Sequence, residues 1–306
     1  MGQDRQYVKK VSPSKSNSVA ERFEVKETSE LLEFLLQVIG NRGRNTVKSI
    51  LARGQVSING KKTTQYNEPL KSGDVVEVNL AKKGDSKKLE GVTILYEDED
   101  ILVVDKKEGL LTIASDKEKQ LTAYRQLTDY VQTFDPKQRI FIIHRLDRDT
   151  SGVLMFAKSQ EIQQKLQNDW KNSVSERTYI ALVEGQIKKK TGTITSWLKE
   201  TRTHLMYSSN KPNGGQKAVT HYAVLKASDK FSLLQVNLET GRKNQIRVHM
   251  QDIGHPVVGD KKYGGRGNPI GRLGLHAHIL SFKHPQTGKI MRFESPVPKR
   301  FNQLFK

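Results

Sequence analysis

Residues 140–159 read IFIIHRLDRDTSGVLMFAKS, two apolar runs joined by a mostly polar stretch, His144 to Ser151. IFII and GVLMFA are rich in branched and aromatic side chains, which suit a pleated surface. The stretch between them is therefore expected to be a connection anchored at both ends, where a reactive group can be exposed without losing its position. It carries Asp147 and Asp149 beside Arg145 and Arg148. Opposite charge at that spacing favours ionised carboxylates, and an ionised carboxylate can attack carbon or remove a proton. Asp149-Thr150-Ser151-Gly152 has the short polar groups that bond backbone amides in turns, so Asp149 reads as structural and Asp147 as reactive. His144 and Arg148 read as supporting neighbours. An ordinary network of loop ion pairs would use the same residue types.

Composition narrows the partner. Over 306 residues, 52 Lys and Arg outnumber 33 Asp and Glu, a net charge of +19. Such an excess favours a polyanion, because each phosphate neutralised releases condensed counterions. Nucleic acid is the expected partner, although basic composition also serves solubility. The chain has no cysteine, which removes disulfides, thiolate catalysis and Cys-based zinc sites. No apolar run of membrane-spanning length is present and the first residues lack a signal-like core. A cytoplasmic, monomeric protein with no membrane association is the expectation.

Four segments are expected. Residues 1–25 are polar and rich in Ser and Lys, a composition with little burial to offset ordering entropy, and read as a flexible basic tail. Residues 26–80 read as a small α/β module: LLEFLLQVI and TVKSILARG as helices, QVSINGK as a hairpin turning at Asn59-Gly60, and DVVEVNL as a last strand. Residues 81–90, AKKGDSKKLE, read as a linker. Residues 91–306 hold the strands VTILYE, ILVVDKK, GVLMFAK, RTYIALVEGQ, GTITSWL, KAVTHYAVLKA and FSLLQVNLET, with helices at TAYRQLTDYVQTF, EIQQKLQNDWK and NQIRVHMQDIG. The expected fold class is α+β, a mixed and mostly antiparallel larger domain behind a small α/β one.

Residues 26–80 resemble the S4 RNA-binding domain, from the LLEFL helix through VKSILARGQVSINGK to the strand opened by Gly73-Asp74. The resemblance implies RNA contact through the two-helix face and places Asn45, Lys48, Arg53 and Lys61 in or near it. HRLDRDTSGVLMFAKS closely resembles the signature of the RluA/RluD-like pseudouridine synthases. That resemblance continues through RTYIALVEG at 177–185, GGQKAVTHY at 214–222, LETGRKNQIRVHMQDIGHPVVGDKKYGG at 238–265 and LGLHAHILSFKHPQTGKIMRFESPVP at 273–298.

The family isomerises uridine in RNA by breaking the N1–C1′ bond, rotating uracil and rejoining it through C5. The resemblance implies that Asp147 is the essential carboxylate, acting by covalent attack or by removing the C2′ proton. It implies that Tyr179 packs on uracil and assists C5 deprotonation, and that Arg247 pairs with Asp147. Arg145 matches the residue that enters the RNA stack when the target nucleotide leaves, and Arg242 and Lys243 are expected to meet RNA or hold the site wall. Ribosomal RNA is the implied substrate, transfer RNA the alternative, and no cofactor is implied.

Two departures from the family pattern stand out. Asn244 fills a position often held by His, so a proton relay through an imidazole there is not expected. Asp105-Lys106-Lys107 replaces a frequent Asn-Lys-Pro, and losing that Pro is expected to loosen GLLTIASD. The pairs His249/His255 and His276/His278 read as structural or RNA-contacting, and no metal site is expected. Glycines around 254–265 read as rim turns, with Asp260 placed to organise them. The competing readings are a metal-dependent nuclease using Asp147 and Asp149 and an RNA-binding or assembly protein without turnover.

Overall fold

The computed structural model describes residues 8–11, 20–39, 44–79, 89–115, 118–133, 137–212 and 214–305. The smaller N-terminal unit contains β1 (Val8–Val11), β2 (Ala20–Val25), β3 (Ser29–Glu30), α1 (Leu31–Val38), α2 (Arg44–Ala52), β4 (Val56–Ile58), β5 (Lys61–Thr63), β6 (Pro69–Leu70) and β7 (Val75–Asn79). Five strands form an antiparallel sheet in the order β1-β2-β7-β4-β5, and β3 pairs with β6. Leu31, Leu32 and Leu35 of α1 and Val47, Ile50 and Leu51 of α2 meet Phe23, Val25, Val76 and Val78 of the sheet in one core. Asn59 and Gly60 both take positive φ, the conformation the β4–β5 turn demands.

The expectation of a tail over residues 1–25 needs correction. AERFEV alternates, and burial of Phe23 and Val25 makes β2 an inner strand of the sheet, with β1 paired outside it. Ser and Lys composition hid a two-residue apolar period. The rest of that segment, and linker positions 80–88, lie outside the described residues.

The larger unit runs β8 (Val92–Glu97), β9 (Ile101–Lys106), α3 (Ala123–Gln132), β10 (Phe141–Ile142), β11 (Ser151–Ala157), α4 (Gln160–Asn168), α5 (Trp170–Ser173), β12 (Val174–Glu184), β13 (Thr191–Glu200) and β14 (Met206–Ser209). It continues through β15 (Gln216–Ala227), β16 (Phe231–Leu238), α6 (Gln245–Asp252), β17 (Leu275–Lys283), β18 (Ile290–Glu294) and α7 (Lys299–Asn302). Nine strands form the path β14-β13-β15-β16-β12-β17-β11-β9-β8, with β10 on β11 and β18 on β17. Among these strands every pairing is antiparallel except β11 with β17, which run parallel over two residues; an isolated parallel bridge joins Leu111 and Thr122 outside them. The fold is thus mixed α+β and mostly antiparallel. Among the described residues no helix is long and apolar enough to cross a membrane.

All seven residues of β11 are buried, which is why GVLMFA is continuously apolar rather than alternating. Leu154 and Phe156 pack with Leu127 and Val131 of α3, whereas Val153 and Met155 pack with Ile162 and Leu166 of α4. Helices therefore cover both faces of the strand that leaves the Asp147 connection. Gly152 makes the parallel junction possible: at φ 115°, a Cβ there would lie 2.0 Å from the Ala277 carbonyl oxygen. It is a point of close backbone approach rather than the turn residue expected above.

The IFII run is shorter as a strand than its composition suggests. Only Phe141 and Ile142 pair with β11, and beyond them side chains replace ladder bonds. Gln163 and Gln167 of α4 donate to the Ile142 carbonyl at 2.8 and 3.0 Å, and Gln167 also reaches that of Ile143 at 3.1 Å.

Candidate active site

Asp147 sits in the β10–β11 connection, which is pinned along its length. Thr112 exchanges hydrogen bonds with Leu146, donating at 2.8 Å and accepting at 3.2 Å. The wholly buried Lys106 ammonium donates to the carbonyls of Arg148, Leu110 and Lys107 at 3.0, 2.8 and 3.0 Å. Burial lowers its pKa to about 8 despite the attraction of Asp149 and Asp147. His144 accepts from the Met155 amide at 3.1 Å, and burial together with the Arg177 charge drops its pKa to about 3. It is a neutral brace.

Arg247 of α6 faces this connection. Its Nε and Nη2 donate to the two oxygens of Asp260 at 2.7 and 2.8 Å, while Nη1 reaches Asp147 Oδ2 at 3.3 Å and Asn244 Oδ1 at 3.2 Å. Asp260 is fully buried and Arg247 nearly so, whereas Asp147 keeps 31% side-chain exposure. Burial works against the Arg247 cation, but Asp260 outweighs it and the net shift is upward. A permanently charged fork thus holds one oxygen of Asp147. The other, Oδ1, has no protein hydrogen-bond partner among the described residues and is free to meet a ligand.

Tyr179 on β12 lies opposite Val236 and Ala277 of the flanking strands. Burial, eased by the Arg177 charge and reinforced by Asp147, raises its phenol pKa. The hydroxyl stays protonated near neutrality. Asp147, Tyr179, Arg247, Asn244, Leu275 and Ala277 line one cleft of about 720 Å³. It joins a carboxylate, an aromatic face and a fixed cation, with apolar walls beneath.

Residues 100–252, half of the chain, match the family model described as RNA pseudouridylate synthase. The chain belongs to the RNA pseudouridine synthase family. An RNA pseudouridine synthase of Bacillus subtilis, YjbO, itself described as uncharacterized, is 37% identical over 257 residues, covering 83% of this chain and 90% of the relative. The ribosomal large subunit pseudouridine synthase D of Haemophilus influenzae is 31% identical over 288 residues, 88% of each chain. The solved structure of human RNA pseudouridylate synthase domain containing 1 superposes with a TM-score of 0.55 at 28% identity, over 70% of this chain and 86% of that one. The protein is an RNA pseudouridine synthase, an isomerase that converts uridine to pseudouridine in RNA.

In this synthase the expected site residues fall into three groups. Asp147, Tyr179, Arg247 and Asn244 converge as above. Arg145, Arg242 and Lys243 stand on the cleft rim, where Arg242 donates to the Lys217 carbonyl at 3.1 Å and Lys243 pairs with Glu200. Arg148 turns to Asp149 at 3.2 Å, so the cation on Asp147 comes from α6 and not from its sequence neighbours.

The third group lies in the N-terminal unit. Arg53 reaches Glu97 of β8 at 3.4 Å, and Lys48 caps the Tyr66 ring at 4.8 Å, beside the acidic turn Asp98–Asp100. Lys61 is exposed on β5, and the side chain of Asn45 lies outside the described residues. Lys48 and Arg53 thus face the larger unit rather than open solvent.

Lys106, Thr112, Arg177 and Tyr263, whose ring centroid lies 5.0 Å from the Arg247 guanidinium and whose hydroxyl accepts from Asn244 at 2.9 Å, escaped the sequence reading as site residues. Arg177 alone had a usable signal, standing two positions before Tyr179 on the same face of an alternating strand.

Asp98, Asp100 and His284 form a compact donor cluster away from this cleft. His284 Nδ1 accepts from the amides of Gln286 and Thr287 at 3.3 and 3.2 Å, so Nε2 carries the hydrogen and donates to Asp98 at 2.9 Å. Asp98 also takes the amides of Asp100 and Ile101 and the Tyr96 hydroxyl. The ring nitrogen a cation would need is committed, and the cluster braces the β8–β9 turn. His249 and His276 are likewise buried among hydroxyl and carbonyl partners.

Tyr179→Ala is expected to weaken RNA binding by roughly 5- to 150-fold, as loss of one base-stacking contact of about 1–3 kcal/mol implies. Tyr179→Phe keeps the ring and should retain most of that affinity while slowing turnover. Filter-binding and single-turnover measurements separate the two, and equal behaviour of both variants would place Tyr179 outside the pocket.

Proposed function

We propose that this synthase acts on ribosomal RNA, with Asp147 as the reactive carboxylate, Tyr179 as the face that holds uracil and Arg247 as the group that fixes Asp147. The observation that carries the assignment is the partly exposed Asp147 in the wall of the cleft, held through one oxygen by Arg247 while the other has no hydrogen-bond partner among the described residues. Either attack by that oxygen or removal of the C2′ proton is compatible with this geometry. In both routes the N1–C1′ bond breaks, C5 bonds to C1′, the C5 proton leaves and N1 gains one, so no water is consumed. Tyr179, whose phenol burial keeps protonated, acts in this reading through its ring, and could receive the C5 proton only while passing its own on.

Asp147 cannot reach the glycosidic carbon of a stacked nucleotide, so the target must leave the stack, at a cost of a few kcal/mol that is smallest in loops and mismatches. Arg145 on the exposed rim is the residue suited to fill the gap. The N-terminal unit supplies non-specific RNA grip as an S4-like domain, with Lys61 on its free face. Support for ribosomal RNA comes from relatives named as ribosomal large subunit synthases that match along 88% of this chain. The enzyme is proposed to work as a cytoplasmic monomer without a cofactor. Pseudouridine mapping of ribosomal and transfer RNA, from cells with and without the protein, tests the substrate. Loss of a ribosomal site supports it, and loss confined to transfer RNA overturns it.

A further inference from the structure

We infer that Arg177 binds a phosphate of the RNA backbone immediately flanking the target uridine. The inference rests on the placement of that uridine against Asp147. Arg177 and Tyr179 share one face of β12 and line the same cleft. The Arg177 guanidinium lies 5.8 Å from the Trp170 ring centroid, and its Nη2 donates to the Leu238 carbonyl at 3.1 Å. On the other side Gly241 leaves it room: a Cβ there would stand 2.8 Å from Nη1.

What the guanidinium lacks is an anion. Among the described residues no carboxylate pairs with it, whereas Arg247, Lys243, Arg148 and Arg272 each have one. A guanidinium has five N–H donors, and the protein uses one of the five here. Burial also lowers its pKa, as expected of a desolvated cation with no counter-charge. A desolvated charge is costly to leave unpaired. The missing partner is therefore something the cleft admits, and the substrate offers a phosphate on each side of every nucleotide. The planar fork of Arg matches phosphate oxygens in pairs. Arg177 would then fix the ribose from its backbone side while Tyr179 holds the base.

The test is a cycle between protein and RNA. Three synthetic stem-loops carry the mapped target uridine: one unmodified, one with a neutral methylphosphonate on its 5′ side and one on its 3′ side, all with the adjoining 2′-hydroxyls replaced by hydrogen. Dissociation constants are measured at fixed salt for the wild type, Arg177→Met and Arg177→Lys. Neutralising the contacted phosphate should weaken the wild type roughly 10- to 100-fold, and Arg177→Met should lose a similar factor on unmodified RNA. The same replacement should then cost Arg177→Met nothing further, with Arg177→Lys intermediate.

If both replacements cost Arg177→Met as much as they cost the wild type, Arg177 is a structural brace for Trp170 and the inference is overturned. Should Arg177→Met fail to fold, Arg177→Lys supplies the cycle, and undiminished sensitivity at both phosphates overturns it equally. Turnover by the wild type on the all-ribose stem-loop is read separately. Its absence would count against the uridine site and not against Arg177.

Discussion

Asp147→Asn is expected to abolish uridine isomerisation, a fall of roughly 10⁴-fold or more in single-turnover rate, while RNA affinity stays within about threefold. Asn keeps the size of the side chain and an oxygen that can still accept from Arg247 Nη1. It removes the negative charge, and an amide neither attacks C1′ nor takes the C2′ proton. The surrounding bonds give reason to expect a folded variant. Arg247 remains locked on Asp260 through two bonds, and Thr112 and Lys106 hold Leu146 and Arg148 independently of the Asp147 side chain. Circular dichroism and RNA binding establish that the variant is intact. Normal turnover by such a protein would remove Asp147 from the chemistry.

Arg247→Met is the second large effect, and it strikes stability as well as rate. Asp260 has no exposed side-chain surface, and among the described residues Arg247 is its one cation and the one partner of Oδ2, while Oδ1 also accepts from backbone amides. Stranding that charge should cost about 3–5 kcal/mol, read as a lower urea midpoint. The rate should fall by at least roughly 10²-fold, because Asp147 loses the donor that orients it. Arg247→Lys distinguishes charge from geometry: one ammonium cannot span Asp260 and also reach Asp147 and Asn244. It should recover part of the stability and little of the rate. Wild-type turnover in Arg247→Lys would show that the fork is dispensable.

The Asp260 contact explains a feature that pairing with Asp147 alone would not. With two of its three nitrogens given to Asp260, Arg247 meets Asp147 through a single long bond. The carboxylate is held in place without having both oxygens occupied. Asp260 in turn accepts from the amides of Lys262 and Tyr263, tying the rim turn to the base of the site. The sequence pointed to Asp260 as a rim organiser and not to its grip on Arg247, because that contact bridges α6 and a turn that follows it.

Local periodicity carried much of the fold. A continuous apolar run marked β11, alternation marked β12, and Asn59-Gly60 marked the first hairpin. What it missed has a common cause. The β2 strand was masked by polar composition, and β14 is only four residues long. The parallel touch of β11 on β17 depends on Gly152 meeting Ala277 across 125 positions of chain. Charge pairing was legible only in part for the same reason: Arg145 and Arg148 are near Asp147 in sequence, but the tertiary fold brings in Arg247. Resemblance, not spacing, singled out Arg247. Lys106 is a buried cation and Arg177 a partly buried one, and their roles emerge only when their partners, or the lack of one, can be seen.

The most direct measurement follows the C5 hydrogen. RNA carrying uridine tritiated at C5, transcribed without modification, is incubated with the purified protein in chelator, and tritium released to water is counted. Wild type should release one tritium for each pseudouridine formed with the RNA chain left intact, and Asp147→Asn should release none. Equal release by both proteins, or cleaved RNA that requires added metal, would contradict a carboxylate-driven isomerisation at this site.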